Sequence, residues 1–255
     1  MKKILSIVPG VIEAMSEIAS LDDAHSWMSS AVRGPYGLIV TAENREQPPR
    51  PEQLLELYEF EGCPFCRKVR EAMTELDLSY ISRTCASGSK AKRREIERRG
   101  GKQQFPYLVD ANTSTELYES EDIIEYLTDT YGPGRSGLSR AVAPLQTIGA
   151  AAASVVRPGG RRVRSGFELR SQPDELPVMY NIEASPFCRK VRETFNELNL
   201  DYIVQNVGKF SARRPELEER GGSMMVPYLI DPNRDVEMYE SDAIIAYLES
   251  NCGEV

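Results

Sequence analysis

The sequence predicts an α/β protein made of two tandem βαβαββα domains joined by a partly helical linker, and three observations predict it. The chain repeats itself: residues 55–81 align with 177–203 with 15 of 27 positions identical, and residues 98–127 align with 219–248 with 16 of 30 identical. Within each repeat, short apolar runs bounded by Gly, Pro and Asp alternate with stretches of helical period, as strands and helices packed in layers require. Where the first strand of the first repeat gives way to its first helix stands Cys63-Pro64-Phe65-Cys66.

Composition narrows the class. A chain of 255 residues allows two domains with a core in each. With 31 basic against 39 acidic residues the net charge is −8, which argues against nucleic acid as a main partner. The basic run 90–94 is interleaved with acids further along a predicted helix and reads as a solvated face. Five cysteines are too few for a disulfide scaffold and fit a reducing compartment, so a cytoplasmic protein is expected. Residues 1–15 make a poor signal peptide, and the longest uncharged stretch, 141–156, contains Pro144 and is too short for a bilayer, so no membrane partner is expected. Oligomeric state is left open.

Taken in order, residues 1–50 form an extension of unassigned role. Val11, Met15, Ile18 and Leu21 could share one helix face, and His25, the only histidine, reads as structural. Residues 47–51 are a stiff lead into the first domain, 51–132. There a strand (55–60) precedes the cysteine motif and its helix (66–76). A second strand starts at Tyr80, a charged helix spans 90–99 up to Gly100-Gly101, and strands follow at 105–110 and 116–118 before a last helix at 121–131. The linker, 133–172, holds a helix predicted over 145–156 and broken by Pro158-Gly159-Gly160. The second domain, 173–255, repeats the order, with Ser185-Pro186-Phe187-Cys188 at the motif.

The motif carries the chemistry. Cys63 falls at a helix start, where unpaired amides and the positive end of the dipole favour a thiolate. Cys66 sits one turn on, within reach of a mixed disulfide on Cys63, and Pro64 suits the first turn. Arg67 and Lys68 read as exposed cationic neighbours. A zinc site would need a second ligand pair, and the remaining Cys85, Cys188, Cys252 and His25 are not closely paired, so no metal is expected. In the second repeat Ser185 replaces the attacking sulfur, and Cys188 reads as a buried structural thiol.

This order, with the Cys motif after strand one and an X-Pro before strand three, resembles the thioredoxin fold. More closely it is similar to the glutaredoxin-like amino-terminal domain of glutathione transferases, present twice. The residues that carry the resemblance are Cys63-Pro64-Phe65-Cys66, Phe105-Pro106 and Tyr118-Glu119-Ser120, with second copies Ser185-Pro186-Phe187-Cys188, Val226-Pro227 and Tyr239-Glu240-Ser241. It implies a cis proline that presents the backbone of Phe105 or Val226 to the cysteinyl part of glutathione. It implies that Glu119-Ser120 and Glu240-Ser241 hold the γ-glutamyl end, while the same serines would also serve as helix N-caps. Ser185 could hydrogen-bond a glutathione thiolate. The implied activity is glutathione-linked thiol–disulfide exchange, with glutathione as cosubstrate and protein disulfides as further partners. The alternatives are a glutathione transferase or isomerase, and a non-enzymatic binding module. One departure matters: the all-helical domain that follows this unit in such transferases is replaced by a linker and a second unit.

Overall fold

The computed structural model describes residues 23, 24, 26–31, 33, 36–134, 137–157 and 159–251. The apolar spacing from Val11 to Leu21, together with His25 and Cys252, lies outside them. After a helical stretch at 26–31 and a short helix α1 (Ala42–Glu46), the first repeat runs β1 (Leu55–Glu59), α2 (Pro64–Glu75), β2 (Tyr80–Thr84) and α3 (Lys90–Gly100). It closes with β3 (Tyr107–Asp110), β4 (Thr115–Tyr118) and α4 (Ser120–Tyr131). A long helix α5 (Gly137–Val156) leads to the second repeat: β5 (Val178–Asn181), α6 (Pro186–Glu197), β6 (Tyr202–Asn206), α7 (Arg214–Gly221), β7 (Tyr228–Asp231), β8 (Val236–Tyr239) and α8 (Ser241–Asn251). Both repeats are therefore βαβαββα, as the sequence predicts, and α3 and α7 stop at left-handed Gly101 and Gly222.

The repeats share one sheet. Its order is β4-β3-β1-β2-β6-β5-β7-β8, with β1 parallel to β2 and antiparallel to β3. The seam is the antiparallel pair β2–β6, where Ile81 lies opposite Ile203. These two residues are equivalent in the repeat, so a pseudo-twofold axis runs between them. Each unit thereby covers the strand edge of the other, which would otherwise be open to foreign pairing. One apolar cluster spans the seam, from Leu57, Val69 and Met73 to Val191, Phe195 and Tyr202.

The segments before each unit also prove to be a repeat, which the alignment did not reach. Arg33 clasps Glu71 of α2, and Arg157 clasps Glu193 of α6. Gly37 N–H donates to Glu75 at 3.0 Å and Gly160 N–H to Glu197 at 3.4 Å. Leu38 and Val40 then exchange backbone bonds with Lys209 of the second unit, while Arg161 and Val163 do so with Ser87 of the first. Each arm is thus anchored on its own unit and crosses to the other. The crossing requires glycine: Gly37 and Gly160 both have φ +67°, and a Cβ there would meet Glu183 Cβ at 2.9 Å or Glu61 Cβ at 2.8 Å. The helices follow the same exchange. The second arm's α5 packs along α2. The first arm's 26–31 stretch sits at the start of α6, where Ser26 Oγ donates to Pro186 O at 2.7 Å.

Beneath the seam the units trade charges. Arg70 donates from Nε and Nη2 to Glu183 at 3.0 and 3.2 Å, and Arg192 does the same to Glu61 at 2.9 and 3.2 Å. All four side chains are at most 2% exposed. Ion pairs this deep add little net stability when intact, but removing one partner strands a charge and costs about 3–5 kcal/mol.

Three expectations change here. Arg67 and Lys68 are buried rather than exposed: Arg67 donates to Ser29 Oγ at 3.1 Å, and Lys68 to Thr147 Oγ1 at 2.8 Å and to Glu121. The arms need those donors, so the residues turn inward. Within the run 90–94 Lys92 is also buried, paired with Asp201 of the other unit, so that helix face is not wholly solvated.

Candidate functional site

Strand β1 ends in a turn in which the Cys63 N–H donates to Phe60 O at 3.1 Å. Cys63 is the N-cap of α2, and its Sγ accepts the Cys66 N–H at 3.3 Å. Pro64 occupies the first turn and leaves the amides of Phe65 and Cys66 facing the sulfur. The Cys63 thiol is held below its ordinary range, first by a hydrogen bond from the Cys66 thiol, then by those two amides and by the charge of Arg70. Burial acts against this, and the thiol is only 4% exposed. Cys66, fully buried, is pushed the other way by desolvation and by the charge on Cys63. The cation that lowers the Cys63 thiol is Arg70, one turn beyond Arg67, while the expected Arg67 and Lys68 are engaged by the arms and by Glu121.

The Phe105-Pro106 bond is cis, as is Val226-Pro227. Phe105 meets Phe60 edge to face at 6.1 Å between ring centroids, and the Arg93 guanidinium lies 4.8 Å from the Phe105 ring. Arg93 Nε is anchored to the carbonyls of Cys85 and Ala86 at 3.1 Å. Cys85 is fully buried, and its thiol is pushed up to about 12 by desolvation.

Glu119 and Ser120 open α4, though not with the expected cap. The N-cap is Glu119, which accepts the Ile123 N–H at 3.0 Å, and Ser120 is the first helical residue, buried at 5%. Glu119 stands at φ +64° and Glu240 at φ +71°. Non-glycine residues in this region carry roughly 1–3 kcal/mol of strain, which concentrates at ligand-holding sites. The Glu119 side chain reaches into solvent, with Gln104 as donor and Lys102 at 3.8 Å. Ser241 begins α8 in the same way, after Glu240 accepts the Ile244 N–H at 2.9 Å.

The second unit repeats the frame around Ser185, whose Oγ accepts the Cys188 N–H at 3.2 Å. Cys188 is fully buried and its thiol raised by that burial. The sites differ in their roofs. Arg161, from the second arm, crosses the loop before Cys63, donating from Nε to Gly62 O at 3.2 Å and from Nη2 to Ser154 O at 2.9 Å. A side chain at Gly62 would collide with it. Over the second site lie Gly37, whose carbonyl accepts the Ala184 N–H at 3.2 Å, and Trp27, edge-on to Phe187 at 6.0 Å.

Sequence reasoning missed Arg70, Glu183, Arg93 and Arg161. Arg70 and Arg93 stand in charged runs indistinguishable from a solvated face, Glu183 is a lone acid in the turn after β5, and Arg161 belongs to a segment with no motif. Among the described residues no group of His, Cys, Asp and Glu is arranged to hold a metal, and no helix is long and apolar enough to cross a membrane.

The family model for the glutathione S-transferase N-terminal domain matches the chain twice, at residues 57–136 and 179–255. No curated protein and no solved structure matches it. Two matched regions, each a βαβαββα unit with its cis X-Pro and its Glu-Ser helix start, make the chain a tandem member of the glutathione S-transferase N-terminal-domain family, whose domains have the thioredoxin-like fold and bind glutathione.

Proposed function

We propose that the chain is a glutathione-linked thiol–disulfide oxidoreductase in which Cys63 attacks, Cys66 resolves and the second unit does not turn over. The observation that carries this reading is the opposite treatment of two neighbouring thiols: Cys63 is pulled toward thiolate, and Cys66 is kept protonated and donating to it. The Cys63 thiolate attacks one sulfur of a glutathione or protein disulfide, the S–S bond breaks, and the other sulfur leaves as a thiol after taking a proton. The mixed disulfide on Cys63 is then cleaved in one of two ways. Cys66 can lose its proton and attack Cys63, giving an internal disulfide that two glutathione molecules reduce. Alternatively, one glutathione thiolate attacks the mixed disulfide directly. Either route moves two electrons from glutathione to the substrate.

The reading gives Phe105 and Pro106 the cysteinyl backbone of glutathione, and Glu119 and Ser120 its γ-glutamyl end at the α4 amides. In the second unit Val226, Pro227, Glu240 and Ser241 take the same parts, with Ser185 as a hydrogen-bond partner only. Among the described residues no base is hydrogen-bonded to the Ser185 hydroxyl, which accepts the Cys188 N–H. The described cysteines, Cys63, Cys66, Cys85 and Cys188, are all unpaired, which suits a reducing, cytoplasmic setting.

The test is reduction of a mixed glutathione disulfide with glutathione, glutathione reductase and NADPH. Turnover that vanishes in Cys63→Ser supports the reading, and wild-type inactivity rejects it. A second reading, a transferase or glutathione-binding module, draws on Ser185 occupying the place of the Cys63 thiol in an intact frame. Conjugation of a generic electrophile without disulfide reduction would favour it.

A further inference from the structure

The charge cluster beneath the seam is almost symmetric. On the first side Arg33, Arg67 and Arg70 stand with Glu59, Glu61 and Glu71. On the second side Arg157, Arg189 and Arg192 stand with Glu183 and Glu193, and the place of Glu59 is taken by Asn181. Asn181 accepts from Arg192 Nη1 at 2.7 Å as Glu59 accepts from Arg70 Nη1 at 2.6 Å, but it brings no charge. The cluster is one carboxylate short on the second side.

The shortage falls on a particular pair. Arg67 and Arg189 are equivalent in the repeat, each is 1% exposed, and both approach the same oxygen without a full hydrogen bond: Arg67 Nη2 is 3.9 Å and Arg189 Nε 3.6 Å from Glu61 Oε1. That carboxylate is committed to Arg192 and Arg70. What remains for the pair is neutral: Ser29 Oγ at 3.1 Å for Arg67 and Ser26 O at 2.8 Å for Arg189. The Nε atoms of both arginines are buried with no hydrogen-bond partner. So are the hydroxyls of Ser30 and Ser154, each close in sequence to a partner of this network. Orphaned donors on two like charges are an expensive arrangement unless an acceptor of opposite charge completes it.

We infer that Arg67 and Arg189 form a buried site for one small monovalent inorganic anion of the chloride class. Its charge is set by the single missing carboxylate, and it would be shut off from solvent with the two arginines, each 1% exposed. The orphans on the two arginines are donors, the Nε–H groups of Arg67 and Arg189. The anion would tie the two units and both arms together at one point, since Arg67 reaches the first arm through Ser29, and Ser29 Oγ reaches the second through Ala153 O at 3.0 Å.

The test uses the full chain in sodium chloride and in sodium gluconate at equal ionic strength. A ligand bound by the folded state alone raises the melting temperature in proportion to ln(1 + [L]/Kd), so chloride should raise it by about 3 °C with that dependence. Crystals soaked in sodium bromide should show an anomalous peak between Arg67 and Arg189. Asn181→Asp, which supplies the missing charge in the same shape, should abolish the chloride effect, and Arg189→Met should abolish both the effect and the peak. If Asn181→Asp does not fold, Arg189→Met decides alone. Equal melting in the two salts, bromide at surface positions as an adventitious ion only, or a chloride effect that survives Arg189→Met would each overturn the inference.

Discussion

The Cys63 and Ser185 sites have the same backbone. In each, the N-cap side chain accepts the amide three residues on, a cis X-Pro follows, and a glutamate at positive φ precedes a buried serine. Besides their roofs and the residue before the cis proline, Phe105 or Val226, they differ at one atom of the N-cap, sulfur or oxygen, and in the partner of the arginine behind it, Glu59 for Arg70 and Asn181 for Arg192. Yet Pro-Phe-Cys-Arg-Lys-Val-Arg is identical in both, although the second copy has Ser185 where the first has Cys63. The structure gives a reason that owes nothing to catalysis. The first arginine and the lysine of this run, Arg67 and Lys68 or Arg189 and Lys190, hold the crossed arms and the last helix, while the second arginine, Arg70 or Arg192, holds the opposite unit. Identity between the copies thus marks the architecture, and the difference marks the chemistry.

The largest expected effect breaks the comparison at the sulfur. Cys63→Ser should lower glutathione-coupled disulfide reduction by more than about a thousandfold, as removal of a nucleophile does. Ser185→Ala should leave it unchanged. Equal losses in the two variants would mean that both frames react.

Next come the crossed carboxylates. Glu61→Gln and Glu183→Gln each strand an arginine of the opposite unit, so each should destabilise the chain by about 3 kcal/mol, a fall of roughly 6–12 °C in melting temperature. For Glu61 the loss carries a pH signature. Desolvation would raise its carboxyl, but Arg192 and Arg70 outweigh it and hold the group at about 2. Its contribution is therefore full above the ordinary carboxylate range and fades as pH falls through it toward about 2. The difference between wild type and Glu61→Gln should shrink in the same direction. The same crossing means that either unit cut away alone loses a strand neighbour, an arm and a counter-charge, and should not fold as a stable monomer.

A smaller effect separates the two thiols. The strongest hold on the Cys63 thiolate is the hydrogen bond from Cys66, so Cys66→Ala should raise the Cys63 pKa, and Cys66→Ser, which keeps a donor, should raise it less. Thiolate absorbance near 240 nm against pH reads this directly. Once the pKa lies above neutrality, each further rise of about one cuts the thiolate at pH 7 roughly tenfold. Iodoacetamide at mildly acidic pH should still reach Cys63 before the buried Cys85 or Cys188.

Much of this was legible beforehand. The repeat, the order of elements, the cysteine at a helix start and the glycine ends of α3 and α7 follow from periodicity and turn chemistry, which are local. The crossed arms were not. Their equivalent residues, Arg33 and Arg157, Gly37 and Gly160, Val40 and Val163, stand at offsets that drift from 124 to 123, against 122 for the cysteine motif, with few identities between. Nor could Arg70 be read as a buried partner of Glu183, because a helix presents the same charged pattern whether it faces water or a second unit that answers each charge.

The smallest effect comes from a pair of glutamates that the two arms treat differently. Glu75 and Glu197 occupy equivalent places and each accepts an arm glycine's N–H. Glu197 also has Arg164, at 2.8 Å, whereas Thr41 stands at that place in the first arm. Without a cation of that kind beside it, Glu75 is raised to about 7, chiefly by desolvation, which the Gly37 N–H only partly offsets. Its sign is opposite to that of Glu61. The folded state holds the proton more tightly than the unfolded chain, so stability is greatest below the ordinary carboxylate range and declines as pH rises from there to about 7, then levels. Glu75→Gln keeps an acceptor for Gly37 and cannot ionise. It should match wild type near pH 4 and exceed it at pH 8 by about 1–2 kcal/mol, discounted for the partial exposure of the group. Glu197→Gln should instead lose a few tenths of a kcal/mol, or about 0.5, as a half-exposed ion pair does. Urea unfolding of both variants at the two pH values measures this. A gain in both, or in neither, would mean that Thr41 and Arg164 are not what sets the two arms apart.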